Sequence, residues 1–286
     1  MEYQVLFPKD TTFERLTAAR PLLPFSESVM TFVAALSTNL LRNAECRKYP
    51  ELPALGYWLR PANLRKLKQR FVDQQAGDVW LPRGLVFHLA PSNVPTIAVY
   101  SWICSLLMGN CNLIRLSGKQ NNAQARLVEI INEALSVNEH AEIKSRNLLV
   151  SYPHNEKVTA MFSECCQARV IWGGDETVKA IRRIPLPANA KEICFANRIS
   201  LALLDARAVL NLNAQMLEQL AHNFFNDAYG FNQMACSSPR LVVWLGKQSC
   251  CEAAKERFWK ALQNKVEKAQ PVFSAGDYMN KLVVRQ

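Results

Sequence analysis

From residue 80 onward, short runs of β-branched and apolar residues alternate with longer segments of helical periodicity. This alternation is typical of a parallel β-sheet whose strands are joined by crossover helices. The strands are predicted at 85–90, 112–116, 147–152, 169–172, 199–205 and 240–246. The helices are predicted at 95–108, 121–135, 155–167, 175–183, 207–228 and 249–268. The predicted fold class is therefore α/β, with a doubly wound, mostly parallel sheet.

Residues 1–79 have a different pattern, in which helical periodicity is interrupted by prolines at positions 21, 24, 50, 53 and 61. This pattern predicts an N-terminal helical arm or layer. The chain has 286 residues, 49% of them hydrophobic and 20% charged, so it can bury a sizeable core.

The amino terminus lacks a cationic segment leading into an apolar one, which predicts that the chain carries no secretory signal. The longest apolar run, 94–108, is shorter than the ~20 residues that a membrane span requires, so no membrane span is expected. The nine cysteines form no CxxC pair, and the four histidines are scattered, so no metal site is expected. This many unpaired thiols favours a cytoplasmic location.

The net charge is +10, and part of the excess lies in the segment WLRPANLRKLKQRF at 58–71. A solvated helix face is the favoured interpretation, and a nucleic-acid patch is ranked below it because the segment has no base-reading motif. No nucleic-acid partner is therefore predicted. A basic surface also suits polyphosphorylated small molecules such as CoA or NADPH.

Two turns that follow predicted strands have unusual sequences. In HLAPSNVP, Asn93 lies between a strand and a helix, where its amide is suited to stabilise an oxyanion; the alternative is that Ser92 or Asn93 caps the helix. In VIWGGDETV, Gly173 and Gly174 would let backbone NH groups approach a phosphate, whereas the alternative is an αL turn capped by Asp175.

A third segment, FNQMACSSPR, places Cys236 among small residues before a predicted strand. Taken alone, such a cysteine is most often a small buried apolar residue. The chain has neither a P-loop nor a GxGxxG fingerprint.

Four segments in the same order resemble the aldehyde dehydrogenase superfamily and, within it, the fatty-acyl-CoA reductase of bacterial luminescence systems. They are LPRGLVFHLAPSNVP, YSWICSLLMGNCNLIRLSGK, VIWGGDETVKAIRR and FNQMACSSPR. The resemblance implies an aldehyde-dehydrogenase-like dinucleotide-binding domain at 80–230 and the start of a catalytic lobe at 231–286. Members continue well past the nucleophile, so the resemblance also predicts that this lobe is incomplete here.

The resemblance implies that Cys236 is the nucleophile and Asn93 supports the oxyanion hole. It places Arg115 near the adenosine ribose, where a guanidinium favours NADPH over NADH, and the glycine pair 173–174 near the pyrophosphate. The implied reaction is reduction of a fatty acyl thioester to the aldehyde through an acyl-cysteine. The implied acyl donors are acyl-CoA or an acylated carrier or synthetase subunit, and a homo-oligomer or a complex with acyl-activating subunits is expected.

The segment KEICFANRIS departs from the superfamily pattern, because the glycines that surround the water-activating glutamate of hydrolytic members are absent. Glu192 is a candidate acid or base, and the favoured alternative is a surface carboxylate paired with Lys191 or Arg198. The departure favours a reductase, which gains by excluding water. A second functional hypothesis is a truncated, non-catalytic remnant that binds nucleotide or CoA or acts through protein interactions.

Overall fold

The computed structural model describes residues 3–91, 95–116, 118, 122–229 and 235–269. The chain divides into two compact units, Met1–Asn197 and Arg198–Gln286. This division lies earlier in the chain than the predicted boundary between 230 and 231. It falls in the short stretch between two strands, whereas the predicted boundary lies next to a helix that packs with the second unit.

The first unit is built from six strands and nine α-helices among its described residues. The strands are β1 Gln4–Phe7, β2 Leu85–Leu89, β3 Cys111–Leu116, β4 Asn147–Ser151, β5 Ala168–Trp172 and β6 Lys191–Phe195. The helices are α1 Phe13–Ala18, α2 Glu27–Arg42, α3 Glu51–Trp58, α4 Pro61–Gln75, α5 Pro95–Leu107, α6 Asn122–Leu135, α7 Ala141–Lys144, α8 Glu156–Cys165 and α9 Asp175–Arg182.

The strands form one sheet in the order β1-β4-β3-β2-β5-β6. All neighbouring pairs are parallel except β1 and β4, which are antiparallel. After β2 the chain builds the sheet outward through β3 and β4, and then returns to place β5 on the other side of β2. The strand order therefore reverses between β2 and β5, and this switch point is where open α/β sheets bind ligands.

The central strands are buried on both faces because they are apolar at consecutive positions. One face packs against α5 and α6, and α2 and α3 pack on these two helices in the same core, which contains Trp102 and Phe32. The other face packs against α1, α8 and α9, with Phe87 and Phe162 in the core. Helices on both faces confirm the predicted doubly wound α/β fold.

Two strands of this sheet were not predicted from the sequence. β1 lies in the region predicted to be a helical arm or layer, and it extends the sheet because it pairs with β4 at Val5 and Val150. β6 lies in KEICFANRIS, where charged and half-buried residues obscure the apolar pattern of a strand.

The second unit contains β7 Ser200–Asp205, α10 Ala206–Asn211, α11 Ala214–Tyr229, β8 Pro239–Leu245 and α12 Gln248–Ala269. β7 and β8 form a separate two-stranded parallel sheet, with Leu203 opposite Val243. The helix predicted at 207–228 is divided into α10 and α11, because the side chain of Asn213 accepts a hydrogen bond from the Met216 amide at 2.9 Å and begins a new helix.

The helices of the second unit cover one face of its sheet, around a core that includes Phe258 and Ala254. The opposite face exposes the side chains of Leu201, Leu203, Leu241 and Leu245. Within the described part of the chain, no helix is both long enough and apolar enough to cross a membrane.

Candidate functional site

The carboxyl edge of the six-stranded sheet gathers three of the predicted cofactor-binding residues. Arg115 is the penultimate residue of β3, and Gly173 and Gly174 follow β5 directly. Leu89 of β2 lies between these two strands, opposite Arg115 on one side and Ile171 on the other. The parallel topology therefore places Arg115 and the glycine pair on either side of the β2 carboxyl end. Asn93, which follows β2, lies outside the described residues.

The guanidinium of Arg115 is held against Tyr152, in the segment after β4. Its Nη2 donates to the Tyr152 carbonyl at 3.1 Å, and its Cζ lies 5.1 Å from the centroid of the Tyr152 ring. Its Nε is buried and has no hydrogen-bond partner among the described residues. Burial lowers the pKa of Arg115 from its ordinary value, although an arginine stays charged at neutral pH. An anionic group at this edge would compensate this charge, which fits the predicted ribose 2′-phosphate.

Gly173 and Gly174 form the link between β5 and α9. The Gly173 amide donates to the Phe195 carbonyl at 3.2 Å, so that NH group is already used. Gly174 is the N-cap of α9 with φ −66°, so the alternative αL turn is wrong. The first turn of α9 carries Asp175 and Glu176, whose charges disfavour a phosphate directly on that helix end. Of the three predicted cofactor-binding residues, Arg115 is therefore the one whose geometry suits an anionic group best.

Glu192 lies in β6 and forms an ion-pair cluster with two arginines. Arg169 is directly opposite on β5, and its Nε donates to Glu192 Oε2 at 2.8 Å. Arg182 of α9 lies 3.0 Å away, from its Nε to Glu192 Oε1. The partners expected from the sequence, Lys191 and Arg198, are therefore replaced by Arg169 and Arg182. Because both carboxylate oxygens are engaged, these contacts favour a structural role for Glu192 over that of an acid or base.

Cys236 lies in the second unit, in the turn that leads into β8, and its side chain is exposed. Its carbonyl oxygen accepts a hydrogen bond from Ser200 Oγ at 2.6 Å. Ser238 is buried two residues later, and its Oγ donates to the Asp227 carbonyl at 2.9 Å. This turn therefore presents a thiol to solvent while its backbone is fixed to β7 and α11. The geometry contradicts the alternative of a small buried apolar residue.

The other cysteines contrast with Cys236. Burial raises the pKa of the Cys111 and Cys166 thiols to about 11, so both are poor nucleophiles at neutral pH. Cys165 is exposed on α8. Among the described residues, no group of histidine, cysteine and carboxylate side chains is arranged to hold a metal ion.

The sequence model of a family described as acyl-CoA reductase (LuxC) matches residues 60–277. The matched region covers more than half of the 286 residues and contains Asn93, Arg115, Glu192 and Cys236. The chain belongs to the LuxC acyl-CoA reductase family.

Solved aldehyde dehydrogenases share the fold of this LuxC-family chain. The NADP-dependent glyceraldehyde-3-phosphate dehydrogenase from Bacillus halodurans, solved with NADP, has a TM-score of 0.60 at 14% identity, over 88% of this chain and 56% of that protein. Aldehyde dehydrogenase 21 from Physcomitrella patens, solved with succinate, gives 0.59 at 13% identity, over 88% and 55%. An NAD-dependent aldehyde dehydrogenase from Sinorhizobium meliloti gives 0.57 at 14% identity, over 84% and 49%.

These structural similarities establish the fold, and the LuxC-family chain spans about half the length of the proteins it matches. No curated protein matches it. The resemblance inferred from the four sequence segments is thus confirmed at the level of family and fold. The roles of individual residues remain predictions.

Sequence reasoning missed a buried polar network beneath the carboxyl edge of this LuxC-family sheet. His88 of β2 contacts Ser101 Oγ through Nδ1 at 2.8 Å and Asn112 Oδ1 through Nε2 at 3.1 Å. Trp172 Nε1 donates to the same Ser101 hydroxyl at 3.0 Å. The signal in the sequence was a histidine inside an apolar strand, which must find partners when it is buried. The network links β2, β3, α5 and the end of β5, and it fixes the strand ends that flank the switch point.

Proposed function

We propose that this protein reduces a fatty acyl thioester to the aldehyde through an acyl-cysteine at Cys236. The observation that supports this most directly is the LuxC family match over residues 60–277. Cys236 lies within the matched region and is exposed on an anchored turn. A thiolate is well suited to accept an acyl group, because one thioester replaces another at little cost in free energy.

The proposed first step forms one bond and breaks one. The Cys236 sulfur adds to the carbonyl carbon, and the bond from that carbon to the CoA sulfur then breaks. The departing CoA thiolate takes up a proton equivalent to the one that Cys236 lost. The Asn93 amide is the proposed donor to the carbonyl oxygen while it carries negative charge, and such a donor is typically worth about 3 kcal/mol in the transition state.

The second step requires a nicotinamide cofactor, and we propose NADPH. When bound, NADPH supplies the hydride that reduces the acyl-cysteine, after which the aldehyde leaves and the Cys236 thiolate is restored. Arg115 is the proposed partner of the 2′-phosphate, because its charge is partly buried and its Nε lacks a partner in the described structure. Gly173 and Gly174 would lie near the pyrophosphate.

Acyl-CoA, or an acylated carrier or synthetase subunit, is the proposed donor, and a homo-oligomer or a complex with acyl-activating subunits is the proposed assembly. The alternative is a non-catalytic protein that binds nucleotide or CoA or acts only through protein interactions. It must be weighed because the chain spans about half the length of the solved aldehyde dehydrogenases that share its fold.

The test is to incubate the purified protein with a long-chain acyl-CoA and measure its mass. We expect one acyl adduct on the wild type and on the Cys165→Ala control, and none on Cys236→Ala. The control is matched because Cys165 is also exposed. Adding NADPH should remove the adduct and release aldehyde, and NADH should do so more slowly. In Arg115→Ala the rates with NADPH and NADH should become similar.

An adduct that persists with NADPH would show acyl transfer without reduction. An adduct that forms equally on Cys236→Ala would refute Cys236 as the nucleophile. If no adduct forms on folded protein with either CoA-linked or carrier-linked acyl groups, the non-catalytic alternative is the better account.

A further inference from the structure

The exposed side of α4 is strongly basic and has few charge partners. Arg65, Lys66, Lys68 and Arg70 are all exposed, and none forms an ion pair with any described residue. Asp73 is the one acidic residue of α4, and its carboxylate accepts a hydrogen bond from Gln69 at 2.8 Å. Four cations within six positions therefore stand without a protein counter-charge in the described structure.

The opposite side of α4 anchors the helix to the core of the first unit. Leu64 is buried, and Leu67 and Phe71 pack partly buried against the same core. Phe71 contacts Phe25, with ring centroids 5.2 Å apart. Because the helix is held along this face, its basic residues are fixed along the two flanks of the exposed side: Arg65 and Lys68 on one, Lys66 and Arg70 on the other.

Apolar side chains are exposed on α4 and in the segment that follows it. Val72 follows Lys68 on the same flank of α4 and is 50% exposed. After the helix, Ala76 with φ 48° and Gly77 with φ 95° reverse the chain direction. The returning segment places Trp80 against Phe71 at 5.5 Å between ring centroids.

Val79 and Leu81 flank Trp80 in the chain, and both are more exposed than Trp80. Val79 is 82% exposed and Leu81 is 73% exposed, whereas Trp80, which packs against Phe71, is 39% exposed. The chain is fixed just beyond them, where the Arg83 amide donates to Asn110 Oδ1 at 2.6 Å. These two aliphatic side chains are thus presented to solvent from a segment that is anchored at both ends.

We propose that this surface binds an anionic lipid bilayer. The α4 surface, as we define it, consists of Arg65, Lys66, Lys68, Arg70, Val72, Val79 and Leu81. Basic side chains are attracted to acidic headgroups, and adjacent aliphatic side chains insert at the boundary between headgroups and acyl chains. In this proposal the α4 surface binds at the headgroup level, as other basic surfaces with exposed aliphatic side chains do.

The exposed aliphatic residues distinguish a bilayer from a nucleic acid. Phosphate backbones are bound by Arg and Lys together with polar or aromatic side chains, and exposed Val and Leu contribute nothing to such contacts. A bilayer can contact both the basic and the aliphatic side chains of the α4 surface. The inference needs no assumption about catalysis, since its tests measure binding alone.

The experiment is co-sedimentation of the full chain with lipid vesicles at about 0.1 M salt. Vesicles of phosphatidylcholine alone are compared with vesicles containing about one-third phosphatidylglycerol. We expect binding to the anionic vesicles only, and loss of binding at high salt. Arg65→Gln with Lys68→Gln should weaken partitioning about 25-fold, since each basic residue near an anionic surface contributes about five-fold.

The matched control is Lys255→Gln with Lys260→Gln, which removes the same charge from exposed positions of α12. It should change partitioning less than two-fold if location matters rather than net charge. Val79→Ser with Leu81→Ser keeps all charges and should weaken vesicle binding about ten-fold. Circular dichroism verifies that each variant is folded.

Three results with vesicles would overturn the proposal: equal binding to neutral and anionic vesicles, equal losses from the α4 and α12 charge variants, or full binding by Val79→Ser with Leu81→Ser. A short DNA duplex provides the remaining arm. If the protein binds the duplex more tightly than the anionic vesicles at the same salt, the α4 surface serves a nucleic acid and the bilayer proposal fails.

Discussion

The two sheets of this protein are made of similar residues but are covered differently. In the first unit, β4 has Leu148, Leu149 and Val150 in succession, and all three are buried because helices lie on both faces. In the second unit, β7 has Leu203 and Leu204 in succession, yet Leu203 is exposed and Leu204 packs against the helices. A continuous apolar strand shows which side chains are able to be buried. The helices that pack on each face of the sheet determine which of these side chains are buried in the fold.

A substitution in the aromatic core of the first unit should have the largest effect on stability. Phe162 is fully buried and contacts Phe13 and Phe87 through edge-to-face ring pairs. Phe162→Ala should destabilise the first unit by about 3–5 kcal/mol. Hydrogen exchange followed by mass spectrometry should show faster exchange in β2 and β4.

The same experiment includes a reciprocal variant. Phe258→Ala removes the equivalent buried ring of the second unit. It should destabilise that unit by a free energy comparable to the effect of Phe162→Ala on the first unit, and amide exchange in α11 and α12 should become faster. If either substitution accelerates both units equally, they unfold as one cooperative body and the comparison between separate units fails.

The buried ion pair of the first unit gives the next largest effect. Arg169 is 1% exposed and depends on Glu192 for its charge partner. Glu192→Gln should cost about 3 kcal/mol of unfolding free energy, because it leaves a buried guanidinium without a counter-charge. Chemical denaturation of the first unit measures this cost.

The control for the ion pair is Glu176→Gln, which breaks an exposed pair with Lys179. We expect a change below about 1 kcal/mol for that variant. A stable Glu192→Gln protein that fails to release aldehyde would reverse our structural interpretation and restore Glu192 as an acid or base.

His88 predicts a dependence of stability on pH that belongs to the first unit. Burial lowers its pKa to about 4, below the ordinary value of 6.5, so the unfolded chain binds the proton more tightly. The contribution of neutral His88 to the unfolding free energy is therefore fully present above pH 6.5, and it is lost as the pH falls from 6.5 toward 4. Between pH 7 and pH 5 the loss should be about 2 kcal/mol.

Denaturation at the two pH values tests this prediction against two variants. His88→Gln should remove most of the pH dependence while lowering stability at pH 7. His222→Gln, in α11, is the control for replacing a histidine outside the buried network. An unchanged slope in His88→Gln would show that other groups cause the acid sensitivity.

The sequence predicted the central strands because their apolar runs are continuous. The family resemblance placed Arg115 and Gly173 near one cofactor, and the structure puts both at the carboxyl edge of the sheet. The sequence did not predict β6, whose exposed and half-buried residues alternate around Glu192. It also paired Glu192 with the wrong cations. Arg169 is 23 positions away in the chain, and only the register between β5 and β6 brings the two side chains together.

The smallest expected effect tests the uncovered face of the second unit directly. Leu203 is 56% exposed on one face of β7, and Leu204 packs against the helices on the other. Leu203→Ala should change the unfolding free energy by less than about 0.5 kcal/mol, whereas Leu204→Ala should cost about 2 kcal/mol. Hydrogen exchange in α12, measured for each variant and for the wild type, gives both changes in unfolding free energy. Equal losses from the two variants would show that the face carrying Leu203 is covered in solution, and the contrast between the two sheets would then disappear.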